Sequence, residues 1–89
     1  MYKTYVIKNL QTTDTTLRDG EELFSVYVSN TSTADQAFNL KIDEVYVYEG
    51  IVIPPSVTLV LDSPIIADTN KITISAGAAD KLDITYTVK

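Results

Sequence analysis

Twelve acidic side chains, with no histidine and no cysteine, set the chemistry open to this sequence of 89 residues. The densest acidic group lies in "TTDTTLRDGEE", Thr12 to Glu22, which gathers Asp14, Asp19, Glu21 and Glu22. Oxygen-rich loops can bind calcium. The calcium-loop pattern, however, puts Asp or Asn at alternate positions before its glycine, and this spacing does not match it. The stretch reads as a solvated turn built on Asp19-Gly20. Asp80 and Asp83 flank Lys81 and Leu82 as a second acidic pair. Paired carboxylates can cleave a glycosidic bond, but these two differ in facing and no second pair accompanies them. They read as solubilising charges on a strand and a turn.

Serine and threonine are plentiful, but a hydroxyl nucleophile needs an activating base. Without histidine only a lysine is left for that task, and no motif singles one out. "GAAD", Gly77 to Asp80, is too short for a phosphate loop. The absence of cysteine excludes a disulfide framework and a zinc-thiolate site. No catalytic residue, metal ligand or cofactor is assigned, and no enzymatic activity is expected. The net charge is −5 and the seven basic residues form no cluster, which argues against nucleic acid as a partner. No apolar run approaches the ~20 residues of a membrane helix. The opening "MYKTYVIKNLQTTD" carries no apolar core followed by small residues, so the expected setting is a cytoplasm or something assembled from one.

The chemistry being thin, the elements carry the reading. Hydrophobic residues are 45% of the chain and charged residues 21%, a globular balance. Leu82, Ile84, Tyr86 and Val88 alternate with Asp83, Thr85 and Thr87, a strand with one apolar face. Ile72, Ile74 and Ala76 do the same, and "GAAD" between the two runs predicts a hairpin. Phe24, Val26 and Val28 alternate with Ser25, Tyr27 and Ser29. Phe38, Leu40 and Ile42 form another such face, separated from it by the polar "NTSTAD". "YVIKNL" is a further strand of ambiguous facing, and Thr15 to Leu17 a possible short one. No stretch has helical spacing over eleven or more residues. The expectation is one all-β domain over residues 1–89, a small antiparallel β-sandwich of seven to eight short strands.

All three prolines fall in "IVIPPSVTLVLDSPI", Ile51 to Ile65. Proline donates no backbone hydrogen bond, so Pro54 and Pro55 belong in a connection or on an edge. They deliver a strand at Val57 to Leu61, and Pro64 marks its end. Just upstream the parity breaks. Continuing the Phe38, Leu40, Ile42 face would bury Glu44. A bulge or tight turn at Asp43-Glu44 is therefore expected, with Val45 and Val47 inward and Tyr46 and Tyr48 outward. The expected core is Ile42, Val57, Leu59, Ile72, Ile74, Leu82, Ile84 and Tyr86. Tyr27, Tyr46, Tyr48 and Val60 are the candidate interface residues, since exposed aromatics are enriched at protein interfaces. The competing reading is that they cover cross-strand neighbours on a wet sheet face.

The C-terminal two thirds resembles a type of small virion protein of tailed bacteriophages. The residues that carry the resemblance are Lys41 to Val47, Ile53-Pro54, Leu59 to Asp62, Pro64 to Ile66, "KITISA" at Lys71 to Ala76, and Leu82 to Val88. "SNTS" at Ser29 to Ser32 also fits. The chain departs at Pro55, where a small flexible residue is commoner, and at "DTN", Asp68 to Asn70, where a Gly-Asp turn is usual. The resemblance implies an Ig-like or jelly-roll sandwich with a non-enzymatic role in the virion, made in the host cytoplasm. Such proteins sit on the capsid as decoration or cement, commonly as trimers, or at the neck or tail. The partners it implies are other virion proteins, above all the major capsid protein, and further copies of the chain. The alternative is a module that recognises a host-surface glycan or protein.

Overall fold

The computed structural model describes residues 2–17, 23–61 and 71–88. The expected Asp19-Gly20 turn and the strand end at Pro64 lie outside them. Among the described residues are eight strands and no helix. They are β1 (Lys3–Ile7), β2 (Thr15–Thr16), β3 (Leu23–Asn30), β4 (Gln36–Ile42), β5 (Val45–Ile53), β6 (Thr58–Leu61), β7 (Ile72–Ala76) and β8 (Leu82–Val88). They form two antiparallel four-stranded sheets. The first has the order β1-β8-β3-β6 and the second β2-β7-β4-β5.

The pairing is nested. β4 pairs with β5, β3 with β6, β2 with β7 and β1 with β8. A long two-stranded ribbon, turned at its middle and rolled up, places alternate pairs in opposite sheets. This is a jelly-roll rather than an Ig-like order. The predicted β7–β8 hairpin does not form: β7 lies in the second sheet and β8 in the first. Gly77 to Lys81 crosses between sheets, and turn residues serve a crossing as well as a hairpin. Alternation gives the facing of each run and says nothing of its partner.

The core fills the gap between the sheets. Of the expected set, Ile72, Ile74, Leu82, Ile84 and Tyr86 are buried, while Ile42 and Leu59 are half-buried against them. Val57 is exposed, which corrects its assignment to the core. It sits before β6, in the turn closed by Val57 N donating to Pro54 O at 3.3 Å. Pro55 and Ser56 are the inner residues of that turn, and Ser56 has φ 61°. Proline followed by a positive φ is the type II pattern, so the Pro-Pro pair does occupy a connection. Phe24 is likewise not a core residue. A register shift between Leu23 and Ser25 buries Leu23 and turns Phe24 out against Tyr2, ring centroids 4.9 Å apart.

The parity break at Asp43-Glu44 is a two-residue hairpin turn. Ile42 pairs with Val45, and Asp43 and Glu44 have φ of 51° and 69°. Positive φ at both inner residues is what a type I′ turn requires. Beyond it β5 does not alternate as expected. Leu40 opposes Tyr48 and Lys41 opposes Tyr46, which leaves Val47 as an extra residue. Glu49 and Gly50 together oppose Asn39, with Gly50 at φ 62° and its N–H donating to Asn39 Oδ1 at 2.8 Å. Each bulge shifts the pleat by one residue. Tyr48 is thereby brought onto the side of buried Leu40 and packs on Phe38, with centroids 6.2 Å apart. Tyr48 is half-buried, while Val45 and Val47 are exposed; both expectations are corrected.

Candidate interaction surfaces

The four candidate interface residues do not share a sheet. Tyr27 on β3 and Val60 on β6 belong to the first sheet and are register partners. Tyr46 and Tyr48 lie on β5, one of the two edge strands of the second sheet among the described residues. Tyr27, Val60 and Tyr46 are exposed, and Tyr48 is not.

Cross-strand partners point to the same face of a sheet, so register defines the outer face of the first sheet. On β8 the buried set is Leu82, Ile84, Tyr86 and Val88, which leaves Asp83, Thr85 and Thr87 outside. Thr85 pairs with Val6 on one side and Tyr27 on the other, and Tyr27 pairs with Val60. The row Val6–Thr85–Tyr27–Val60 therefore crosses all four strands. Val6 is 68% exposed, Tyr27 45% and Val60 45%. On one side of it, Thr87 lies between Thr4 and Ser25, and the Thr4 and Thr87 hydroxyls are 3.1 Å apart. On the other, Ser29 lies between Asp83 and Thr58, and the Ser29 and Thr58 hydroxyls are 3.0 Å apart. Within these four strands the one charged side chain on the face is Asp83, at its margin. Its Oδ1 accepts the Asn9 N–H at 2.9 Å.

Val6 was not singled out by the sequence. Val6 and Ile7 are adjacent apolar residues, so composition does not tell which one faces out. The signal is Thr85, an outward position of a clearly alternating strand, but using it requires the β1–β8 register.

The second surface is β5 itself. One side of this strand is hydrogen-bonded to β4 and the other has no strand beside it among the described residues. Val45, Tyr46, Val47, Ile51 and Val52 are all exposed along it. The Lys41 ammonium lies 5.0 Å from the centre of the Tyr46 ring and 3.0 Å from Asp14 Oδ2. The hydrogen bond to Asp14 raises the Lys41 pKa above its ordinary value, with the carboxylate's charge adding to the effect.

Two further carboxylates have structural duties. Asp80 Oδ1 accepts from Gln11 Nε2 at 2.7 Å, which ties the β7–β8 crossing to the β1–β2 crossing. Asp43 Oδ1 accepts the Lys71 N–H at 2.8 Å, holding the β4–β5 turn to the start of β7. Asp19, Glu21 and Glu22 fall outside the described residues. Among those described, no group of three or more acidic side chains comes together as a metal site. No family model matches the chain, and no curated protein is found similar to it.

Proposed function

We propose that this chain is a virion structural protein of the capsid-decoration type. It binds other virion proteins, the major capsid protein first among them, by surface contact and without catalysis. The observation that carries this reading is the β5 edge. Folded proteins rarely leave a long apolar edge strand wet, because it invites association. The bulges at Val47 and Glu49-Gly50 interrupt the ladder and disfavour strand-to-strand addition. Its side chains remain available for contact with a partner. The resemblance to phage virion proteins supplies the kind of partner. Jelly rolls also build lectins and other domains, so the fold alone does not choose among them.

Co-pelleting with undecorated shells tests the proposal. The chain should sediment with them, and Tyr46→Ser with Val47→Ser should stay folded and lose most of that binding. Electron microscopy of labelled particles separates the sites: label over the whole lattice fits decoration, and label at one vertex fits a neck or tail component. Absence of particle binding, together with binding to host cells or glycans, would replace the reading with a host-surface module.

A further inference from the structure

We infer that the outer face of the first sheet is where two copies of this chain pack on each other, sheet on sheet about a two-fold axis. This names a partner surface within the assembly reading above and rests on it for its biological purpose.

Charge selects the occupant. The chain carries twelve acidic and seven basic residues, so two copies repel across most of their surfaces. The row Val6–Thr85–Tyr27–Val60 and the hydroxyls beside it form a field whose single charge, Asp83, lies at the margin, so like-charged copies meet there at least cost. A basic partner would instead be selected by an acidic face, which this one is not. The hydroxyls favour covering as well. Thr4 with Thr87, and Ser29 with Thr58, already lie within hydrogen-bond distance of each other across the strands. Removing water from them leaves fewer polar groups without a partner.

The shape selects the symmetry. A face with an apolar row flanked on both sides by hydroxyl rows matches a second copy of itself, as a two-fold interface requires. Trimers, which the resemblance implies, need two different patches that fit each other. Packed sheets stack roughly 10 Å apart at about 30°. Four strands at ~4.8 Å spacing and about five residues in length, with side-chain margins, offer roughly 400 Å². That is about half the ~800 Å² per partner of a stable interface, so the dimer is weak in solution and matters where copies are held close together.

Sedimentation equilibrium of the whole chain, without shells, tests this apart from particle binding. The apparent mass should rise toward that of a dimer with concentration. It should do so more readily at 0.2 M salt than at 0.01 M, since the Debye length falls from ~30 Å to below 10 Å and repulsion is screened. Val6→Glu with Val60→Glu should abolish the rise, as should Val6→Lys with Val60→Lys, while an equimolar mixture of the two variants should associate. A dilution series followed by amide chemical shifts reads the wild type alone, independently of how the variants fold. The shifts should cluster at Val6, Tyr27, Val60 and Thr85. A wild type that stays monomeric at millimolar concentration, a trimer mass, shifts confined to β5, or charged variants that associate like the wild type would overturn the inference. A chain that dimerises as described yet ignores shells would leave this interface standing and remove the decoration reading.

Discussion

Asn30 at the end of β3 donates its Nδ2 to the backbone carbonyl of Ile53 at the end of β5, at 2.8 Å, and so joins the two sheets. The same nitrogen donates to Ala34 O at 2.9 Å, while its Oδ1 accepts from Ser32 N at 2.9 Å and Ser32 Oγ at 2.7 Å. Its backbone pairs with Ser56 and Val57. One buried side chain thus holds both the β3–β4 and the β5–β6 crossings. Asn30→Ala leaves buried backbone groups without partners and is expected to cost about 2–4 kcal/mol, read from urea unfolding. Asn30→Asp places a carboxylate against two carbonyl oxygens, which raises its folded pKa. That variant should therefore regain stability as pH falls through the raised value, where Asn30→Ala does not.

Glu44 occupies a position that a side chain tolerates poorly. Its φ of 69° is left-handed, a conformation that costs a residue with a Cβ roughly 1–2 kcal/mol and glycine little. Glu44→Gly matches the type I′ preference at the second inner residue. After glycine's larger entropy loss on folding, it should stabilise the chain by about 0.5–1 kcal/mol. Thermal unfolding should shift upward by several degrees; an unchanged or lower midpoint would contradict the turn.

Tyr46 and Tyr48 should part company on substitution. Tyr48→Ser removes a ring packed on Phe38 and the core and is expected to cost about 1–3 kcal/mol. Tyr46→Ser loses the contact with Lys41 and is expected to cost no more than about 1 kcal/mol. Equal costs in denaturant titrations would mean that the bulges do not set the facing of β5.

Three alanine substitutions should rank by depth. Ile84→Ala, at a fully buried site, should cost about 2–5 kcal/mol. Leu59→Ala, half-buried, should cost about 1–2 kcal/mol, and Val57→Ala should stay within about ±0.5 kcal/mol. Unfolding free energies of the three, measured side by side, check the order.

The sequence carried facing wherever a strand has one wet side. β8 reads directly because Leu82, Ile84, Tyr86 and Val88 are buried and the residues between them are not. On β7 the apolar set Ile72, Ile74 and Ala76 is buried as the alternation predicts, but Thr73 and Ser75 are buried as well, and Ser75 accepts a hydrogen bond from Asn39 Nδ2 on the neighbouring β4 at 3.3 Å. On β5 two bulges reset the period, and an extra residue leaves no mark in an apolar–polar pattern when nearly every residue is apolar. Gly50 is the one cue, as the residue suited to positive φ. The outer face of the first sheet was half visible, through Tyr27 and Val60. Val6 and Thr85 join them by register alone, which depends on pairings between residues far apart in the chain.

The rolled ribbon also gives the chain a route to its fold. Bringing Lys3 directly onto Val88 would close a loop of nearly the whole chain, which is entropically slow. Once the Asp43-Glu44 turn has set β4 against β5, only the two short crossings held by Asn30 remain before β3 meets β6. Each further pair starts from the one nested inside it, so the ribbon can zip from its centre outward. Substitutions at Glu44 and Asn30 should then act on the folding rate. Substitutions in the outermost pair, such as Ile7→Val, should act on the unfolding rate. On this route the speed of folding would be set at the chain's middle, and the lifetime of the folded state at its two ends.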